Sequence, residues 1–243
     1  MGVFGPTRAR PVIVGHRGVR RPDLAENTPE AFAVAVDEGA TWVELDVRRA
    51  ADGVVVLSHE PCTPDGIALV ERSAAELEVA GVSTFADALA QLPAGVGINV
   101  EVKNIPGQPD YDPEDAIAAM VAEVLSPVSG QRPLLASSFN PLTVSRLRAE
   151  LPDVPCGLVH LRTLGIVQAA AVALEQGAVA LSSQVGAEGL DAEGVAAVHA
   201  QGMSVLVWTV NDTNVAAQLA AAGVDALCTD DPAAILGAVP PAS

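Results

Sequence analysis

The sequence predicts a (β/α)₈ TIM barrel of α/β class, built as a single domain with a short or absent insertion after strand two. Three observations carry this. Short apolar runs alternate with Ala-rich helical stretches along the chain. Eight such runs fit within 243 residues, the length of one barrel. Charged residues gather where the first three runs end, and polar residues end later ones. A barrel assembles its site at that edge of its strands. A doubly wound open sheet shares the alternation, but it has fewer strands at this length and gathers ligands at one switch point.

The predicted strands are 11–14, 42–47, 97–102, 134–138, 156–160, 179–182, 204–209 and 225–228. The first, Pro11-Val12-Ile13-Val14, is ended by Gly15. Thr28-Pro29-Glu30 opens a helix that runs to Glu38, with an N-cap oxygen followed by Pro at the first helical position. Thr84 to Gln91 and Asn214 to Ala222 are helical in the same sense. Gly39, Gly177, Gly202 and Gly223 each stand between a helical run and a strand, as helix-stop residues do. One element breaks the repeat. Asp52-Gly53 is a turn dipeptide, and Val54 to His59 after it extends strand two into a β-ribbon that returns His59 to the mouth. Residues 60–96 hold one helix-like run, so no insertion domain is expected and the mouth should be open. The domain is read as residues 1–243, without a linker and with only a Pro-rich tail at 239–241.

Half of the residues are hydrophobic but only 3% are aromatic, so Ala, Val, Leu and Ile must build the core. Such side chains suit a parallel sheet wrapped by helices. A net charge of −17 argues against nucleic acid and against an anionic membrane surface. A phosphate substrate remains open, because local cations act within a screening distance of about 8–10 Å. Cys62, Cys156 and Cys228 are odd in number and form no C-x-x-C pair, which points to neither a zinc site nor a disulfide framework. Met1 to Pro6 lacks a basic region followed by an apolar stretch, and no apolar run approaches the roughly 18–20 residues of a membrane span. The expectation is a cytoplasmic protein without stable membrane insertion.

The site is read from strand edges. In Val43-Glu44-Leu45-Asp46-Val47, alternation puts Glu44 and Asp46 on one side of a strand, and Glu101 ends the next. Buried ions are costly unless compensated, and a hard divalent cation facing a phosphate would compensate them. Glu44, Asp46 and Glu101 are therefore the candidate metal ligands, for Mg²⁺, Ca²⁺ or Mn²⁺; surface carboxylates are the bland alternative. His16 and His59 are the candidate acid and base, since imidazole titrates near neutral pH. His199 lies in a helix-like stretch and reads as a surface residue. His160 ends a strand but matches no motif. Arg17 and Lys103 are candidate phosphate clamps, or balance their carboxylate neighbours, or both.

The succession His16-Arg17-Gly18, Glu26-Asn27-Thr28, Glu44-x-Asp46, His59 and Glu101-x-Lys103 resembles the glycerophosphodiester phosphodiesterases. Weaker likeness continues through Ser137-Ser138-Phe139, Trp208-Thr209-Val210-Asn211 and Thr229-Asp230-Asp231-Pro232. The resemblance implies metal-dependent cleavage of glycerophosphodiesters, in lipid metabolism, to glycerol 3-phosphate and an alcohol. The attacking oxygen would come from water or from the substrate's own glycerol hydroxyl. The resemblance places Glu26 and Asn27 at the site, orienting His16 or Arg17 or reaching a metal-bound water. It makes Trp208 a substrate-side wall, with a core residue as the alternative. Where the family commonly has His-Asp, this chain has His59-Glu60, which shifts the supporting acid by one methylene. The partner is a small-molecule phosphodiester, with the oligomeric state left open. The rival readings are a phosphodiesterase for lysophospholipids or sugar phosphodiesters, and a non-catalytic phosphodiester-binding barrel.

Overall fold

A computed structural model describes residues 2–5 and 10–239. Met1 and Pro6, used in the reading for a leader, and Pro240 and Pro241 of the tail lie outside the described residues. The elements run β1 (Val12–Gly15), α1 (Pro29–Asp37), β2 (Trp42–Arg49), β3 (Val55–Leu57), α2 (Ala74–Val79), α3 (Phe85–Gln91) and β4 (Gly97–Val102). There follow α4 (Ala116–Leu125), β5 (Leu134–Ser138), α5 (Pro141–Glu150), β6 (Cys156–His160), α6 (Ile166–Glu175) and β7 (Ala180–Gln184). The last are α7 (Ala192–His199), β8 (Ser204–Trp208), α8 (Thr213–Ala222), β9 (Ala226–Thr229) and α9 (Pro232–Ala238).

Eight of these strands are parallel and close on themselves, because β1 pairs with both β2 and β9. This closure is the TIM barrel and excludes the open sheet. β3 is the expected ribbon, antiparallel to β2 with Val47 opposite Leu57 and Arg49 opposite Val55. Strand two therefore runs further than predicted, through Arg48 and Arg49. Between β3 and β4 the chain also makes α2, which the sequence reading missed. A capping box from Ser73 and Glu76 starts it. No insertion domain is present among the described residues.

Alternation along each strand sorts side chains into two cores. Ile13, Val43, Leu45, Val47, Ile98 and Val100 face outward into the layer shared with the helices. Val12, Val14, Trp42, Leu135, Leu206 and Ala226 pack together inside the barrel. Phe4 closes the bottom, its ring edge-on to Trp42 at 5.0 Å. Gly97 lies opposite Trp42 in register, and a Cβ there would fall 2.2 Å from the indole, so only glycine leaves room for it. Inward positions are thus apolar at the N-terminal ends of β1, β2 and β4. The same alternation, carried toward their C-terminal ends, presents His16, Glu44, Asp46 and Glu101.

Candidate active site

Glu44 and Asp46 on β2 and Glu101 on β4 are all buried, at 2%, 1% and 8% exposure. Asp46 and Glu101 are register partners across the β2–β4 pair. One oxygen from each of the three lies within 4.8 Å of the others. Burial first, and then the charge of Asp46, push the Glu44 carboxyl up to about 8. Asp46 moves the other way, to about 2: burial would raise it, but Lys103 and Arg17 outweigh that. Lys103 Nζ lies 2.9 Å from Asp46 Oδ1 and also pairs with Glu101. Burial lowers the Lys103 pKa, but Glu101 and Asp46 together hold it above its usual value. The donor set fits a divalent cation. Three oxygen ligands converge, and their mutual repulsion at Glu44 is the strain that a hard cation relieves.

The loop after β1 carries Arg17 and His16, one of the two candidate acid–base residues. Arg17 adopts φ 50° and Asn27 φ 57°, left-handed values that tighten the turn around the carboxylates. Gly18 has φ 88°, and a Cβ there would meet the Ala31 backbone at 2.5 Å, so α1 packs directly on this loop. Thr28 caps α1, its Oγ1 accepting from Ala31 N at 3.2 Å. Arg17 N donates to Glu44 Oε2 at 2.9 Å, its Nε lies 3.0 Å from Asp46 Oδ2, and its Nη1 donates to Glu26 Oε1 at 2.8 Å. Glu26 therefore orients Arg17. Asn27 instead grips Asp46: its Nδ2 donates to Asp46 Oδ2, and Asp46 N donates to its Oδ1, both at 3.0 Å.

His16 Nδ1 lies 2.7 Å from Asp230 Oδ1, and Asn211 Nδ2 donates to Asp230 Oδ2 at 2.7 Å. Burial lowers the His16 pKa, but the Asp230 bond and the Glu44 charge outweigh it and leave it raised. A carboxylate on Nδ1 leaves Nε2 for proton exchange. His59 is backed in the same way by Glu60, with Nδ1 2.7 Å from Glu60 Oε1. The longer acid thus still reaches the ring. His59's carbonyl is fixed by Arg48, whose Nε and Nη2 donate to it at 3.1 and 2.7 Å. Arg48 is itself buried and paired to Asp110 at 2.6 Å.

One cavity of about 270 Å³ at the barrel mouth is lined by His16, Arg17, Glu44, Asp46, His59, Glu101, Lys103 and Trp208. Glu26 and Asn27 are not part of that lining but bond to two residues that are, Arg17 and Asp46. Trp208 ends β8, donates Nε1–H to Ser182 O at 3.1 Å, and packs edge-on to Phe139 with ring centres 5.5 Å apart. It is both wall and packed residue. His160 turns out to line a neighbouring groove rather than this cavity. His199 pairs with Asp225 on the outer surface, 2.8 Å away. Sequence reasoning assigned no role to Asp230, Asn211, Phe139 or Arg48. The first three lay in motifs already quoted; nothing local marked Arg48.

A closed barrel with carboxylates, cations and two acid-backed imidazoles at one mouth defines a class of enzyme suited to phosphoryl chemistry. The sequence model of the glycerophosphoryl diester phosphodiesterase family matches residues 16–234. A glycerophosphodiester phosphodiesterase of Caldanaerobacter subterraneus subsp. tengcongensis is 25% identical over 94% of this chain and 97% of its own length. Among solved structures, an Oleispira antarctica phosphodiesterase in complex with the product sn-glycerol-3-phosphate is similar at TM-score 0.78 and 27% identity, covering 94% of this chain and 96% of that one. A Thermotoga maritima glycerophosphodiester phosphodiesterase shares the fold at TM-score 0.73 and 22% identity, covering 93% and 97%. The chain belongs to the glycerophosphoryl diester phosphodiesterase family and is a phosphoric diester hydrolase. No helix among the described residues is long and apolar enough to cross a membrane.

Proposed function

We propose that this protein hydrolyses glycerophosphodiesters to glycerol 3-phosphate and an alcohol, with His16 and His59 as the acid–base pair and Glu44, Asp46 and Glu101 holding a divalent cation. The observation that carries the reading is the single cavity onto which all of these side chains converge. When bound, the cation would polarise a phosphoryl oxygen. Arg17 and Lys103 supply fixed positive charge for the oxygens that gain charge in the transition state. One imidazole takes the proton of the attacking oxygen as its bond to phosphorus forms. The other gives a proton to the departing alcohol oxygen as the second P–O bond breaks. Asp230 and Glu60 each take the Nδ1–H of their ring, which leaves Nε2 to accept the proton in the base and to give it in the acid. Cysteines without disulfide partners among the described residues fit a reducing, cytoplasmic setting.

The test is release of glycerol 3-phosphate from glycerophosphoethanolamine. Chelation should abolish it, and Mg²⁺, Ca²⁺ or Mn²⁺ should restore it. His16→Ala and His59→Ala should each lose on the order of 10²–10⁴-fold in kcat, while His199→Ala stays near wild type. The variant lacking the acid should recover much of its loss on a nitrophenyl diester, whose leaving group needs little protonation. Full turnover by both histidine variants, or by exhaustively chelated protein, would overturn the assignment.

A further inference from the structure

A groove of about 470 Å³ opens beside the catalytic cavity and shares two side chains with it, Phe139 and Leu161. Strand β6 forms its floor and helix α6 one flank, through Leu158, Ala169 and Val172. No carboxylate, ammonium or guanidinium lines it. Of its two polar members, Thr163 lies in the loop after β6. His160 is buried, with Nδ1 held by the Leu161 carbonyl at 2.9 Å. Burial pushes its pKa down, so this wall is uncharged near neutral pH. Phe139 divides the two spaces and is fixed on the catalytic side: its ring meets the edge of Trp208 and lies 5.2 Å from Lys103 Nζ. At the outer rim, Leu161 and Leu164 are 48% and 46% exposed. Large apolar side chains standing open around an apolar groove mark a surface that gains by being covered.

We infer that this groove is a subsite for one apolar chain carried by the phosphodiester itself. The inference rests on the proposed function, since it assumes a phosphodiester in the adjoining cavity. Continuity chooses this occupant: a chain joined to a diester bound over Arg17 and Lys103 reaches the groove by passing Phe139 and Leu161. Size agrees, because the volume falls within the roughly 300–1,000 Å³ of small-molecule sites. The reaction is unchanged. The attacking oxygen gives up its proton and bonds to phosphorus, the P–O bond to the alcohol breaks, and a proton ends on the alcohol oxygen. The chain sits on either the glycerol or the leaving alcohol, and both positions present the same chemistry to the groove.

The experiment compares two series at monomeric concentrations with the metal-supplied enzyme. Glycerophosphoethanol, -butanol, -hexanol and -octanol carry the chain on the leaving alcohol; 1-O-alkyl glycerophosphoethanolamines carry it on the glycerol. In one series kcat/KM should rise by about two- to fourfold per methylene, the yield of burying that group. Val172→Trp should fill the groove and Leu164→Glu should charge its rim. Each should flatten the rise and leave glycerophosphoethanol turnover unchanged, with melting curves confirming the fold. Calorimetry with ethyl and octyl phosphate reads the groove without turnover: octyl should bind more than about 30-fold tighter, and the difference should vanish in both variants. Flat behaviour in both series together with equal alkyl phosphate affinities would overturn the inference. A chain dependence untouched by both variants would do the same. Dimerisation abolished by Leu164→Glu would assign the rim to a second copy and refute the chain subsite. Failure to hydrolyse glycerophosphoethanol would instead refute the proposed function, and calorimetry would still decide the groove.

Discussion

Replacing Arg48 with Met should test how the mouth is held together. Arg48 is 1% exposed, and its guanidinium donates to Asp110, to Gln108 at 2.9 Å and twice to the carbonyl of His59. Methionine keeps most of the apolar stem and removes every donor. Asp110, 4% exposed, then loses its cation, and its Oδ1 already lacks a partner. Breaking a buried pair from one side costs about 3–5 kcal/mol. In a chain of this size each kcal/mol moves Tm by about 2–4 °C, so Tm should fall by roughly 6–20 °C. The double variant Arg48→Met/Asp110→Leu removes the stranded charge and should regain most of that stability. It should not regain activity, because the His59 carbonyl still lacks its donors; a misplaced catalytic group costs up to about 10²-fold. Differential scanning calorimetry and kcat on glycerophosphoethanolamine read the two effects separately. A single-variant loss below about 2 °C would refute the buried-pair argument. Wild-type kcat in the double variant would refute the link to His59.

Two further predictions concern charge. Glu44 is raised to about 8 from 4.5, so in chelated protein the folded state holds a proton that the unfolded chain releases between those values. Stability of chelated protein should therefore be highest below about 4.5 and decline as pH rises toward 8. Glu44→Gln should flatten that decline in thermal melts while weakening Mn²⁺ binding; an unchanged slope would count against a buried Glu44 carboxyl raised by burial and by Asp46. Asp230→Asn should lower the His16 pKa, since Asp230 is the main group holding it up against burial. The limb of the pH–kcat profile set by His16 should move to lower pH, and a profile identical to wild type would exclude the pairing.

The strand edges were legible because the inward positions repeat every second residue. Glu44 and Asp46 could be placed on one side of β2 from spacing alone, and the charge at the strand ends located the mouth. What spacing cannot give is register between strands. That Asp46 stands opposite Glu101, or that His16 meets Asp230, depends on how the barrel closes. Arg48 was hidden for a related reason. Beside Arg49 at a strand end it looks like a solvated charge, and only the turn at Gln108–Asp110 makes it a buried clamp. α2 escaped because it has 6 residues, too few for a helical period, and leaves Val79 91% exposed. Its capping box, Ser73-x-x-Glu76, was nevertheless present in the sequence.

The seam between β1 and β9 has a consequence for how the protein is made. His16 acquires its carboxylate from a residue 214 positions later, across the last pairing of the barrel. A nascent chain that stops short of β9 has every proposed metal ligand, both proposed phosphate clamps and both candidate acid–base histidines, yet only one of the two rings is backed. It also has two unpaired strand edges, on β1 and β8, open to other chains. Catalysis and protection from edge-to-edge association therefore arrive in the same event. Turnover by a ribosome-released population thus reports the fraction of barrels that have closed rather than the fraction that has merely collapsed.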